Sequence, residues 1–180
     1  MESQTSPVGG ECFCARCARS RAATCCQLNE IYVTPGDVRR IAKVVGAEEF
    51  YEYRGAANPA YLDQDDDPLW LEHVFRSDGT RRVLRQRPGG DCCFLTAKGC
   101  RLDMNTRPLV CRLYPYRYNA AGFYAEFSEG CPTELLGQGE GLLDALGMKQ
   151  SEAAEWRRML YEEILLEKAN AHRSDLRPAA

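Results

Sequence analysis

The stretch Cys92–Pro115, C-C-F-L-T-A-K-G-C-R-L-D-M-N-T-R-P-L-V-C-R-L-Y-P, carries three well-spaced cysteines, Cys93, Cys100 and Cys111. Polar and turn-forming residues separate them, and the segment closes on a stiff Y-P, because proline fixes its own φ and restricts the residue before it. Upstream lie Cys12, Cys14, Cys17, Cys25 and Cys26; downstream lies Cys131. A metal-binding fold in which these groups close on one another accounts for the pattern. The expected fold class is therefore α+β: a small metal-organised domain of short helices and β-hairpins, with a C-terminal helix.

A chain of 180 residues supports one domain with a real hydrophobic core and is short for two. With 44% hydrophobic and 27% charged residues, it has the composition of a folded chain. The net charge of −3 gives no general reason to expect nucleic acid or an anionic membrane as partner. Two basic runs (Arg16, Arg19, Arg21; Arg81, Arg82, Arg85, Arg87) read as solvated faces, with an anion or RNA site as the alternative. No window reaches the ~18 consecutive apolar residues of a spanning helix. Met1–Glu11 lacks the basic start and apolar region of a secretory signal. A cytoplasmic location follows, and in that reducing compartment ten cysteines point to metal or redox chemistry rather than disulfides. Neighbours such as Cys25–Cys26 and Cys92–Cys93 are in any case awkward disulfide partners.

Along the chain, residues 1–11 read as a frayed terminus. The first cysteine group has almost no large apolar residues, so it is expected to be ordered by a metal rather than to pack as a conventional helix or strand. Ile31–Val33 suits a short strand. Thr34, Pro35 and Asp37 then mark a helix start, Val38, Ile41, Val44 and Val45 keep helical spacing, and Gly46 stops it. A second short helix is expected over Ala47–Arg54, carrying Phe50 and Tyr53 inward. Residues 55–69 read as an exposed loop. Its acidic run, Asp63 and Asp65–Asp67, lacks the glycine and glutamate of a calcium loop.

Trp70–Phe75 and Thr80–Gln86 flank Asp78–Gly79 and predict a hairpin. The central segment turns at Lys98–Gly99 and enters a short helix near Arg107–Pro108. Tyr114–Asn119 and Gly122–Phe127 predict another hairpin. Residues 133–141 form a glycine-bearing connector whose G-Q-G-E-G lacks the context of a phosphate loop. Ser151 is the expected cap of a helix running to about Ala171, with Trp156, Met159, Leu160, Ile164 and Leu165 as its apolar face. The tail to Ala180 is expected to be loose. The domain division is a cysteine-cluster domain over 12–132 and a helical extension over 133–171 that packs on it.

Thiolate is the ligand that zinc and iron–sulfur clusters favour, usually four per fully thiolate site. Cys14-x2-Cys17 is a metal-knuckle spacing, and the tandem Cys25–Cys26 can bridge or serve two sites. Cys93, Cys100, Cys111 and Cys131 bring the candidate ligands to eight, with Cys12 and Cys92 in reserve. The two histidines, His73 in a predicted strand and His172 at a helix end, read as structural or surface residues. A thiolate-only site argues against zinc hydrolysis, which usually keeps an open position among nitrogen and oxygen ligands. Arg107 and Arg112 flank Cys111 and either offset thiolate charge or pair with the acidic loop. Tyr114, Tyr116 and Tyr118 are hairpin side chains or a substrate-binding aromatic row.

The run C-x2-C, C-C, C-F-L…C, R-P-x-x-C-R-x-Y-P and a final C-P resembles the YkgJ-type cysteine-cluster family. V-T-P-G-D-V-R-R-I also looks like the family's helix start, so the resemblance covers roughly 12–132. It implies a zinc- or iron-chelating domain, with Cys14, Cys17, Cys25, Cys26, Cys93, Cys100, Cys111 and Cys131 as the matching positions. The chain departs from the family's C-x2-C-x2-C-C in placing seven residues between Cys17 and Cys25. A similar cluster domain occurs in flagellin lysine methylases, where an iron–sulfur role is considered. Three functions fit: a protein that chelates zinc or iron, the iron as an ion or within an iron–sulfur cluster; an iron–sulfur redox or protein-modifying enzyme; or a zinc-stabilised adaptor with a protein partner. No nucleophile–base pair, P-loop or methyl-donor signature stands out to choose the enzyme.

Overall fold

The computed structural model describes residues 13–21, 24–63 and 65–175, so the expectations for the two termini and for Cys12 fall outside the described residues. The architecture is α+β: short helices, three two-stranded antiparallel sheets and a long C-terminal helix.

The start signal at Thr34 works as expected. In α3 (Pro35–Val45) the Thr34 hydroxyl accepts from the Asp37 N–H at 2.9 Å and the Asp37 carboxylate accepts from the Thr34 N–H at 3.1 Å. Two orphan amides are thereby satisfied reciprocally. Gly46 ends the helix in the left-handed conformation, φ 72°, which costs glycine nothing. Val38 and Ile41 are buried, while Val44 faces solvent.

Three expectations are corrected. The first cysteine group is helical: α1 (Phe13–Ser20) and α2 (Cys25–Leu28) carry its described residues. Phe13 and Ala15 of α1 are buried, and the helix lies against the turn at Gly99. The expected helix over Ala47–Arg54 is instead β1 (Tyr51–Arg54), paired antiparallel with β2 (Arg81–Leu84) in the register Tyr51↔Leu84 to Arg54↔Arg81. Phe50 points inward and Tyr53 outward, the alternation of a strand. Finally, Trp70–Phe75 is no hairpin strand. Asp67 caps α4 (Pro68–Val74), with Pro68 at the first turn, the same signal as Thr34–Pro35. The Asp78–Gly79 turn does form, Arg76 N donating to Thr80 O at 2.8 Å, but it joins a helix to a strand. Ile31–Val33 runs along the other side of β2, bridging at Tyr32↔Val83.

The central segment forms β3 (Leu95–Thr96) and β4 (Gly99–Cys100), then α5 (Leu109–Leu113). The expected hairpin follows as β5 (Tyr116–Tyr118) and β6 (Phe123–Phe127), with a cis Tyr114–Pro115 bond before it. The connector holds a 3-10 turn, Thr133–Leu135, and leads to α6 (Leu142–Leu146). The C-terminal helix α7 spans Gln150–Asp175, so Ser151 lies inside its first turn rather than capping it.

Two apolar clusters hold these elements. One joins α7 (Ala153, Trp156, Leu160, Ile164) to Leu109, Leu113, Tyr116 and Tyr32. The other gathers Val33, Ile41, Phe50, Leu84, Phe94 and Leu102 around Cys92. A polar seam fastens α7 to α3: Glu163 pairs with Arg40 at 2.5 Å and accepts from the Thr34 hydroxyl. Arg40 also pairs with buried Asp37 at 2.7 Å, whose other contacts include the Leu109 N–H at 3.1 Å. Gly36 leaves the room for this, because a Cβ there would collide with the Glu163 carboxylate. One turn on, Glu167 pairs with Arg82 at 2.5 Å.

Candidate metal centre

Short elements from three parts of the chain deliver the thiols. Cys14 and Cys17 lie on α1, three residues apart and hence on one helix face. Cys25 and Cys26 open α2, where the Thr24 hydroxyl accepts from Cys26 N at 3.3 Å and Gln27 Oε1 accepts from Thr24 N at 2.8 Å. Gln27 also donates to Asp91 at 2.6 Å, and Cys92 N donates to Cys26 O at 2.9 Å. These bonds stitch α2 to the start of the Cys92 segment. Cys100 ends β4, Cys111 sits in α5, and Cys131 follows β6. Gly99, at φ +88°, presses against α1: a Cβ there would stand 3.3 Å from the Cys14 carbonyl carbon.

Seven of the eight candidate ligands, Cys14, Cys17, Cys25, Cys26, Cys100, Cys111 and Cys131, line one cavity of about 610 Å³. Cys93 does not; its thiol lies 3.6 Å from Phe50 O and is hydrogen-bonded to the sulfur of Cys92. Cys92 is buried, and its charge reaches Cys26, Cys100 and Cys111. His73 lies on α4 beside Glu72, at 3.9 Å, and is not among the lining residues. His172 falls beyond the described side chains. The lining also includes Tyr32, Tyr61, Trp70, Met104, Tyr116 and Tyr118. Sequence offered no signal for Tyr32, Tyr61 or Trp70 there, because their placement depends on how distant elements pack.

Burial pushes the thiols of Cys17, Cys100 and Cys111 up, and that of Cys131 to about 11. Cys26 is raised chiefly by donating to Cys25, and then by burial. Cys92 goes the other way, to about 7, because Cys93 donates to it and the Phe94 and Leu95 amides point at its sulfur. Arg107 is placed among these groups. Burial works against its charge, but Cys100, Cys14 and Cys111 outweigh that and hold it protonated. Its Nε donates to Leu102 O at 3.0 Å. Arg112 is buried differently: its Nε donates to Arg107 O at 2.7 Å, and the acidic groups beside it are Asp37 and Glu163.

The chemistry of this donor set fits a thiophilic ion: many thiols, a buried cation and converging amides around one space. As placed, no group of three or more His, Cys, Asp or Glu side chains among the described residues is arranged to hold an ion. The thiols surround the cavity without converging on a point. A family model of the CxxCxxCC type, described as "Putative zinc- or iron-chelating domain", matches residues 13–132. The chain belongs to this family. The matched span includes every thiol of the cavity together with Cys92 and Cys93, and stops before α6 and α7. Membership supports metal binding for the cysteine cavity. No curated protein and no solved structure matches the chain. No helix among the described residues is long and apolar enough to cross a membrane.

Proposed function

We propose that this protein is a cytoplasmic metal-binding protein that chelates zinc or iron through Cys14, Cys17, Cys25, Cys26, Cys100, Cys111, Cys131 and one of the pair Cys92–Cys93. The observation that carries this reading is the gathering of seven thiols on one cavity in a chain of the chelating family. Residues 12–132 form the chelating unit, and 133–171 extend it, with α7 closing its core. Arg107 offsets the charge of the thiolates and Arg112 supports the backbone that carries it. A bound ion would supply either structural cross-linking by a closed thiolate shell, or electron transfer if iron is held with sulfide.

The size of the cavity favours a second reading, an iron–sulfur redox or protein-modifying enzyme. About 610 Å³ is the scale of small-molecule sites and exceeds what ions alone occupy, and aromatic side chains line it together with the thiols. Elemental analysis with an absorption spectrum on anaerobically purified protein separates the two. Zinc without iron supports the structural chelator. Iron with acid-labile sulfide and absorbance near ~400 nm supports the cluster. A folded chain that holds neither metal overturns both.

A further inference from the structure

We infer that the cavity carries, beside its thiols, a binding subsite for a small aromatic carboxylate, with Arg81 receiving the acid group and Tyr32, Tyr61, Trp70 and Tyr118 the ring. The subsite goes beyond metal chelation, and no metal takes part in it.

Arg81 belongs to the basic run that reads from sequence as a solvated face, yet it is 1% exposed and lines the cavity. A guanidinium does not shed its proton, so a full charge lies buried beside an open space. Its Nη2 donates to Glu30 at 2.8 Å. That carboxylate is shared with Arg54, which stands 3.0 Å away and also meets Glu52 at 3.6 Å. The Arg81 Nε has no hydrogen-bond partner. The hydroxyl of Tyr116, a residue 8% exposed and also in the lining, has none either. Buried donors left without acceptors are costly. An acceptor serves both groups, and for a guanidinium the strongest is a carboxylate.

Aromatic rings gather around the same residue. The Arg81 guanidinium stacks on the Tyr61 ring at 4.1 Å. The antiparallel bridge Tyr32↔Val83 sets Tyr32 on the face of β2 that Val83 shares with Arg81, two residues away. Trp70 of α4 meets Tyr32 edge to face, with ring centroids 5.3 Å apart, and Tyr118 packs on the same apolar cluster. Ile31–Val33, β2, α4 and the turn Pro59–Tyr61 carry no cysteine. This part of the lining is thus built apart from the elements that bear the thiols. Such rings favour a planar apolar body, and about 610 Å³ has room for one next to the sulfurs.

The sign of the ligand follows from burial. Asp63, Asp66 and Glu129 also line the cavity, but all three are exposed, so water and salt screen them. Asp66 in addition accepts from the Tyr124 hydroxyl. Arg81 has no such screening, and it favours an anion.

The test is equilibrium dialysis of 2-naphthoate against the anaerobically purified full chain, its metal content measured, beside 2-naphthylmethylamine, which puts the same ring on a cation. Naphthoate should bind with a Kd of about 1 mM or tighter, the range that a molecule this small reaches in a formed pocket. The amine should bind at least about tenfold more weakly. Trp70→Leu should weaken both probes, and Arg81→Lys the acid alone, by about tenfold, because lysine keeps the charge but not the planar fork. Naphthoate that does not bind overturns the subsite. An amine that binds as tightly overturns its charge, and parental affinity in Trp70→Leu overturns its location. Should Arg81→Lys not fold, the acid–amine comparison and the half-buried Trp70 decide without it. A chain that holds no metal yet binds naphthoate breaks the proposed function and leaves the subsite standing; a metal-loaded chain that ignores naphthoate does the reverse.

Discussion

The α3–α7 half and the cysteine half of this molecule are held in different ways. In the first, the Thr34 cap, the Asp37–Arg40–Glu163 seam and the Leu109–Trp156–Leu160 packing join the elements directly through protein atoms. In the second, α1, α2, β3 and β4 are short and adjoin a cavity lined by seven cysteines. Elements of two to eight residues do not stand alone in water. The contrast separates a half whose elements meet through a long helix from one whose short elements meet around thiols, and on the proposed function a bound metal would complete the order of the second.

The largest test of that contrast is chelation. Stripping the metal should remove stabilisation on the order of 10 kcal/mol for a structural thiolate site. Amide exchange should rise sharply over residues 13–21, 24–28 and 92–102 while 150–164 stay protected. Equal loss of protection in both halves would contradict the division. Leu160→Ala strikes the opposite half. Leu160 is fully buried, so denaturant unfolding should show a loss of roughly 2–5 kcal/mol, with metal content per folded chain unchanged.

A third effect is smaller per step and depends on pH. The raised thiols of Cys17, Cys100, Cys111 and Cys131, the last at about 11, must release protons to bind an ion. The metal-bound state therefore gains as pH rises and loses as pH falls, by about tenfold in affinity per displaced proton per pH unit. Competition with a chromophoric chelator across neutral pH measures it; a flat profile would show that thiols are not the ligands. Smallest is Gly99→Ala, which adds a Cβ 3.3 Å from the backbone of α1 at φ +88°. A cost of about 1 kcal/mol is expected, read as weaker metal retention with the α7 core unaffected.

What the sequence made legible follows the same line. Thr34–Pro35 was readable because a capping box is local, and the Tyr114–Phe127 hairpin because its alternation and turn are contiguous. Asp67–Pro68 carries the same message as Thr34–Pro35 but sits at the end of an acidic run, so the loop reading masked α4. Tyr51–Arg54 was misread because its partner, Arg81–Leu84, lies far along the chain, and only that pairing makes it a strand. The sulfur chemistry was visible in the spacing. That neither Cys92 nor Cys93 lines the cavity was not, because adjacent residues carry no sign of which way each will turn.

Gly36 bears on how sequences of this fold can vary. Its missing side chain is the space that the Glu163 carboxylate occupies between Thr34 and Arg40. The two positions are therefore not independent letters. A chain that gains a side chain at 36 must shorten or redirect the acid at 163, and with it loses the contacts that Glu163 makes to Thr34 and Arg40.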